Sequence, residues 1–104
     1  MLDKNFQQEL LEKLKDKSYD CQEVLFKYKD LGMNQHNMYK NMFKIMAELR
    51  MKDDEEAEDD LMDLMDCVVG LCSSTSAIFE NRYTPSIPEQ TEIDLVVKEV
   101  NTIK

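Results

Sequence analysis

Asn34-Gln-His-Asn-Met-Tyr-Lys-Asn-Met-Phe-Lys-Ile-Met-Ala-Glu-Leu-Arg-Met51 is the stretch on which the fold turns. Met38, Met42, Phe43, Ile45, Met46 and Leu49 recur at three- and four-residue intervals, the period of one helical face, while Lys40, Lys44 and Arg50 face out. Asn34 can cap the run by accepting a hydrogen bond from an otherwise unpaired N–H of the first turn. The spacing predicts a helix over 35–51. Methionines at 33, 38, 42 and 46 could line a plastic recognition groove, but their spacing matches an inward face and they are read as core.

The same period extends on both sides. Phe6, Leu10, Leu11 and Leu14 mark a helix over about 3–16. Val24, Leu25, Tyr28 and Leu31 mark another over about 20–31, opened by a capping box from Asp20 to Glu23 and closed by Gly32 as a left-handed cap. Downstream, Asp53 and Asp54 are N-cap candidates. Ala57, Leu61, Leu64, Met65, Val68, Leu71 and Cys72 then trace one face, predicting the longest helix over about 54–73. Ser73-Ser-Thr-Ser breaks that pattern, and Pro85 and Pro88 make the segment after it an irregular connection. Ile93, Val96, Val97, Val100 and Ile103 fit a helical face over about 89–101; their β-branched richness leaves a strand as the alternative. Two glycines, two prolines and no tryptophan supply little of the punctuation of an all-β chain. The expected fold is all-α: one domain over residues 1–104, a small up-and-down bundle of four to five helices with an irregular segment before the last.

At 42% hydrophobic residues the chain can bury a core despite 34% charged ones. No apolar run approaches the roughly 20 residues that span a bilayer, and the N-terminus lacks a secretory pattern, so the expected location is cytoplasmic. Cys21, Cys67 and Cys72 are odd in number and are read as reduced, buried thiols. Cys67 and Cys72 fall about 140° apart around a helix, a poor arrangement for a shared metal.

The net charge of −9 is unevenly placed. Residues 1–52 carry ten Lys or Arg against eight Asp or Glu; residues 53–104 carry three against fourteen. Asp53, Asp54, Glu55, Glu56, Glu58, Asp59 and Asp60 open the fourth helix, Asp63 and Asp66 continue on its polar face, and no Lys or Arg intervenes before Glu80. Acids at a helix start are individually favoured by the helix dipole, and the bland reading is a solvated helix end. A one-signed surface also costs self-repulsion, which a role in steering a basic partner would explain. Nucleic acid and anionic membranes would be repelled. Phe79 and Tyr83, just beyond this helix, are the candidate aromatic anchors.

Little points to catalysis or a cofactor. His36 is the only histidine and is read as a surface or capping residue; zinc, di-iron and phosphate-loop spacings are lacking, and the acid run has neither the alternation nor the central glycine of a calcium loop. The expectation is a non-enzyme without metal or cofactor.

A small, acidic helical chain of this kind resembles bacterial immunity proteins. The segment Asp66-Cys-Val-Val-Gly-Leu-Cys-Ser73, followed by Ile78-Phe79, is similar to the end of the acidic helix in small immunity proteins of contact-dependent inhibition and related polymorphic toxin systems. The resemblance covers a minor part of the chain. It implies a stoichiometric inhibitor whose partner is a cognate, basic toxin domain, with a nuclease as the favoured case, occluded by the acidic helix in place of nucleic acid. The alternatives are a helical regulatory module and a nucleic-acid mimic that inhibits other basic proteins.

Overall fold

The periodic stretches fold as helices, and their side-chain pairings set how they run. The structure is a computed structural model that describes residues 2–16, 21–70, 78–79 and 83–102. Its helices are α1 (Leu2–Lys15), α2 (Cys21–Asp30), α3 (Gln35–Met51), α4 (Glu55–Val69) and α5 (Ile87–Thr102), with no strand among the described residues. The last apolar stretch is therefore helical, and residues 83–86 before it have no regular structure.

α3 lies at the centre, packed against α1, α4 and α5, while α2 packs on α1. The ring of Phe6 meets that of Tyr28 at 5.2 Å, and Lys13 shares a cleft with Glu23 and Val24, so α1 and α2 are antiparallel. Gln7 Nε2 donates to Asn41 Oδ1 at 2.8 Å and Asn41 Nδ2 donates to Asp3 at 3.1 Å. Leu11 and Ile45 line one cleft farther on, so α1 and α3 run parallel. Gln35 Nε2 donates to the Val68 carbonyl at 2.7 Å while Arg50 meets Glu58 at 2.8 Å, which makes α4 antiparallel to α3. His36 pairs with Glu92 and Arg50 with Val100 and Asn101, which makes α5 parallel to α3. The order is up, down, up, down, up.

Met33, Met38, Met42 and Met46 are all buried with Ile45 and Leu49, so the methionine stripe is core. Phe6, Leu10, Leu14, Val24, Leu25, Leu61, Val68 and Ile78 complete the same cluster. Each such side chain, fully buried, contributes roughly 1.5–3 kcal/mol before chain entropy is set against it. Asn41 and His36 are the buried polar residues of α3, and two bonds to α1 satisfy Asn41 there.

The ends of the helices refine the expected boundaries. Asn34 Oδ1 accepts from Asn37 N at 2.8 Å, as a cap should. At the end of α2, Met33 N donates to the Tyr28 carbonyl and Gly32 N to that of Lys29, with Gly32 at φ 107°: this is a Schellman turn that buries Met33 against Tyr28. It leaves Leu31, expected on the apolar face, 58% exposed at the cap. α4 is not the longest helix. Gly70, at φ 88°, turns the chain into the left-handed region and stops α4 after 15 residues, against 17 in α3. Leu71 and Cys72, with Tyr19, Asp20, Glu80 and Ile103, lie outside the described residues. α5 begins two residues earlier than expected because Ser86 and Glu89 form a capping box: Ser86 N donates to Glu89 Oε1 at 3.0 Å and Glu89 N to Ser86 Oγ at 3.4 Å. Cys21 and Cys67 are buried thiols, and Gln22 Nε2 lies 3.8 Å from Cys67 Sγ.

Candidate partner-binding site

α4 turns Ala57, Leu61, Leu64, Met65, Cys67 and Val68 inward. Its remaining positions form the acidic face, and the nine predicted acids divide by the work that each does. Asp54 is the N-cap, its side chain accepting from Ala57 N at 3.2 Å. Asp53 belongs to the end of α3: it adopts φ 59°, its N–H donates to the Arg50 carbonyl, and Asp54 N donates to that of Leu49. It thus takes the left-handed place that Gly32 takes after α2. Glu58, only 13% exposed at its side chain, is drawn inward to Arg50. The antiparallel packing of α3 and α4 supplies a cation that the linear sequence places just ahead of the acid run.

Glu55, Glu56, Asp59, Asp60, Asp63 and Asp66 are exposed along the outer side of α4, and Met62, 47% exposed, stands among them. Around a helix these positions make one continuous strip. Carboxylates that close, in water, repel at a level that salt readily screens. A cationic surface would relieve that repulsion.

The C-terminal end of this strip meets the aromatic side chains. Ile78 N donates to the Cys67 carbonyl and Tyr83 N to that of Val69, so both described pieces of the connection are tied to the last turn of α4. Phe79 is half-buried against the core with Lys29 Nζ 5.3 Å from its ring centre, and Lys29 also donates to the Ile78 carbonyl at 2.9 Å. Tyr83 packs on the other side, its ring 5.6 Å from that of Tyr39, which in turn meets Phe43 edge-on at 4.9 Å. Burial raises the pKa of Tyr39, and the charge of Asp66 raises it further.

His36 is corrected from surface or cap to buried. It is 8% exposed, while Asn34 does the capping. Its Nε2 lies 2.7 Å from Glu92 Oε2 and its Nδ1 2.5 Å from the Tyr83 hydroxyl. Because Glu92 can only accept, Nε2 carries the proton in the neutral imidazole and Nδ1 accepts from Tyr83. The ring also stacks on that of Tyr83, at 6.1 Å between centres. Burial, with the charges of Glu89 and Glu92 and the neighbouring Tyr39, pushes the Tyr83 hydroxyl up to about 12. Tyr83 therefore keeps its proton at neutral pH and works as a fixed donor. The bond from His36, assisted by Lys40, lowers the pKa of Glu92; the Ser86 backbone and side chain do the same for Glu89. Carboxylate, imidazole and phenol thus join α5, α3 and the connection. Sequence reasoning missed this because residues 36, 83 and 92 share no local pattern; the Ser86-to-Glu89 box, beside Pro88, was a legible sign of where α5 starts.

Among the described residues no group of three or more His, Cys, Asp or Glu is placed to hold a metal ion, and no helix is long and apolar enough to cross a membrane. No protein-family model, curated protein or solved structure matches this chain.

Proposed function

We propose that this chain is a protein-binding inhibitor acting in the cytoplasm, which docks the outer face of α4 on a basic partner, and that the partner is a toxin against which it confers immunity. The observation that carries the reading is the strip of Glu55, Glu56, Asp59, Asp60, Asp63 and Asp66 around exposed Met62, held on a helix whose opposite side is locked into the core. A rigid base matters, since a preordered charged face forfeits less entropy on binding than a disordered one. Phe79, Tyr83 and Tyr39 at the end of the strip offer amphipathic area for the desolvated centre of an interface. A nuclease is the favoured toxin, because a surface that binds phosphates is the one that such a strip complements.

The test is co-purification from the native cells, comparing the unaltered chain with a variant carrying Asp59→Asn, Asp60→Asn and Asp63→Asn. The reading expects one dominant basic partner, encoded beside this chain, that is lost with the variant. Its association rate should fall steeply as ionic strength rises to the physiological range. A neutral or acidic partner, or a rate indifferent to salt, would sink it. Capture of several unrelated DNA-binding proteins would favour the nucleic-acid mimic instead.

A further inference from the structure

α5 lies along α3 with few buried side chains and with polar contacts near both of its ends. Of its sixteen residues only Ile93 and Val100 are buried, with Val96 partly packed against the core, whereas Ile87 is 86% and Leu95 61% exposed. At its start, Glu92 Oε2 sits 2.7 Å from His36 Nε2 and 3.9 Å from Lys40 Nζ, and Glu89 Oε2 sits 3.8 Å from His36 Nδ1. At its end, Arg50 Nη1 donates to the Val100 carbonyl at 3.4 Å and to Asn101 Oδ1 at 3.3 Å, long bonds from a guanidinium whose Nε is engaged by Glu58.

The groups facing His36 come from three elements: Glu89 and Glu92 from α5, Tyr83 from the connection and Lys40 from α3. Tyr39 stands behind Tyr83, with the charge of Asp66 of α4 acting on it. Every anion in direct contact with the imidazole belongs to α5. We propose that α5 is a releasable arm, docked while Glu92 and Glu89 are ionised and swung off α3 when they are neutralised, with α1 to α4 still folded. Once the carboxylates are neutral, the partly exposed Lys40 and the buried ring of His36 lose the anions that α5 presents to them. Releasing α5 returns His36 to water and exposes only two buried side chains of its own, Ile93 and Val100. The other four helices share the large core, to which α5 adds Val100 with Val96 packed against it, and stay together. Opening uncovers the side of α3 that bears His36, Lys40, Phe43, Ala47 and Arg50, positions that fall on one helical face.

Hydrogen exchange on the full chain, corrected for intrinsic rates, tests this at pH 7 and pH 3.5. The expected result is a loss of protection of tenfold or more over residues 91–102 at pH 3.5, with α3 and α4 amides still protected. Glu92→Gln should open α5 about fivefold at pH 7, a discount for the partial exposure of Glu92, while Glu99→Gln on the same helix changes nothing. Protection lost in step across all five helices, or a Glu92→Gln chain with unaltered α5 exchange at pH 7, overturns the proposal. The acid arm uses the unaltered chain, so the outcome stands even if the variant folds poorly.

Discussion

α4 and α5 both carry acidic residues and both pack on α3, yet they are held by different forces. α4 buries six side chains and turns most of its carboxylates to water. α5 buries two, and engages Glu89 and Glu92 with His36 on α3. Buried apolar side chains anchor α4, with the pair of Arg50 and Glu58 beside them, and its other carboxylates lie on the exposed side. The charges of α5 take part in its own attachment, so α5 answers to conditions that α4 ignores.

The largest effect that would sharpen this contrast comes from the core. Leu61→Ala, at a site with no exposure, should lower unfolding free energy by about 3 kcal/mol in denaturant titrations, whereas Ile93→Ala in the sparsely buried α5 should cost about 2 kcal/mol. Equal losses would mean that α5 is anchored as α4 is. Next in size, Asp59→Asn with Asp60→Asn and Asp63→Asn should leave the circular dichroism spectrum intact. It should slow association with a basic partner by about tenfold at low salt, and the difference should shrink as salt is added.

A smaller effect is the dependence of melting temperature on pH. Glu9, Glu89 and Glu92 ionise more readily in the folded chain than at their ordinary value of 4.5, Glu9 chiefly through its bond from Lys27. Their stabilisation is fully present above that value and is lost as pH falls through the lowered folded values. Tyr83 has the opposite sign: raised from 10.0 to about 12, it stabilises fully below 10 and loses that contribution as pH climbs towards 12. Melting temperature should therefore form a plateau that falls on both sides, and ultraviolet titration should show one tyrosine ionising near the upper end. The smallest change is at the junction of α3 and α4, where Asp53→Gly relieves a left-handed backbone and should stabilise the chain by up to about 1 kcal/mol.

The legible part of this protein was everything governed by local period and local capping. The bounds of α3 and its methionine face were readable, since Asn34 caps it and its methionines follow the inward face, while its His36 was not. Glycine was read after α2 and overlooked after α4, although Gly70 does there what Gly32 does earlier. In the candidate site, the acid run was visible as composition, but its division was not. Asp53, Asp54 and Glu58 serve the turn, the cap and an ion pair, and six acids remain on the exposed strip.

By itself, then, the sequence determined an all-α bundle of four to five helices, most of the side chains that turn inward and the strongly acidic character of α4, because those follow from a period of 3.6 residues and from charge placed along the chain. Only the tertiary structure decided that Arg50 answers Glu58, that Tyr83 is drawn to Tyr39 beside Asp66, and that the single histidine is buried between Tyr83 and Glu92. Those contacts join residues 8 to 56 positions apart, and they form because packing brings helix ends together, an outcome that no local pattern encodes.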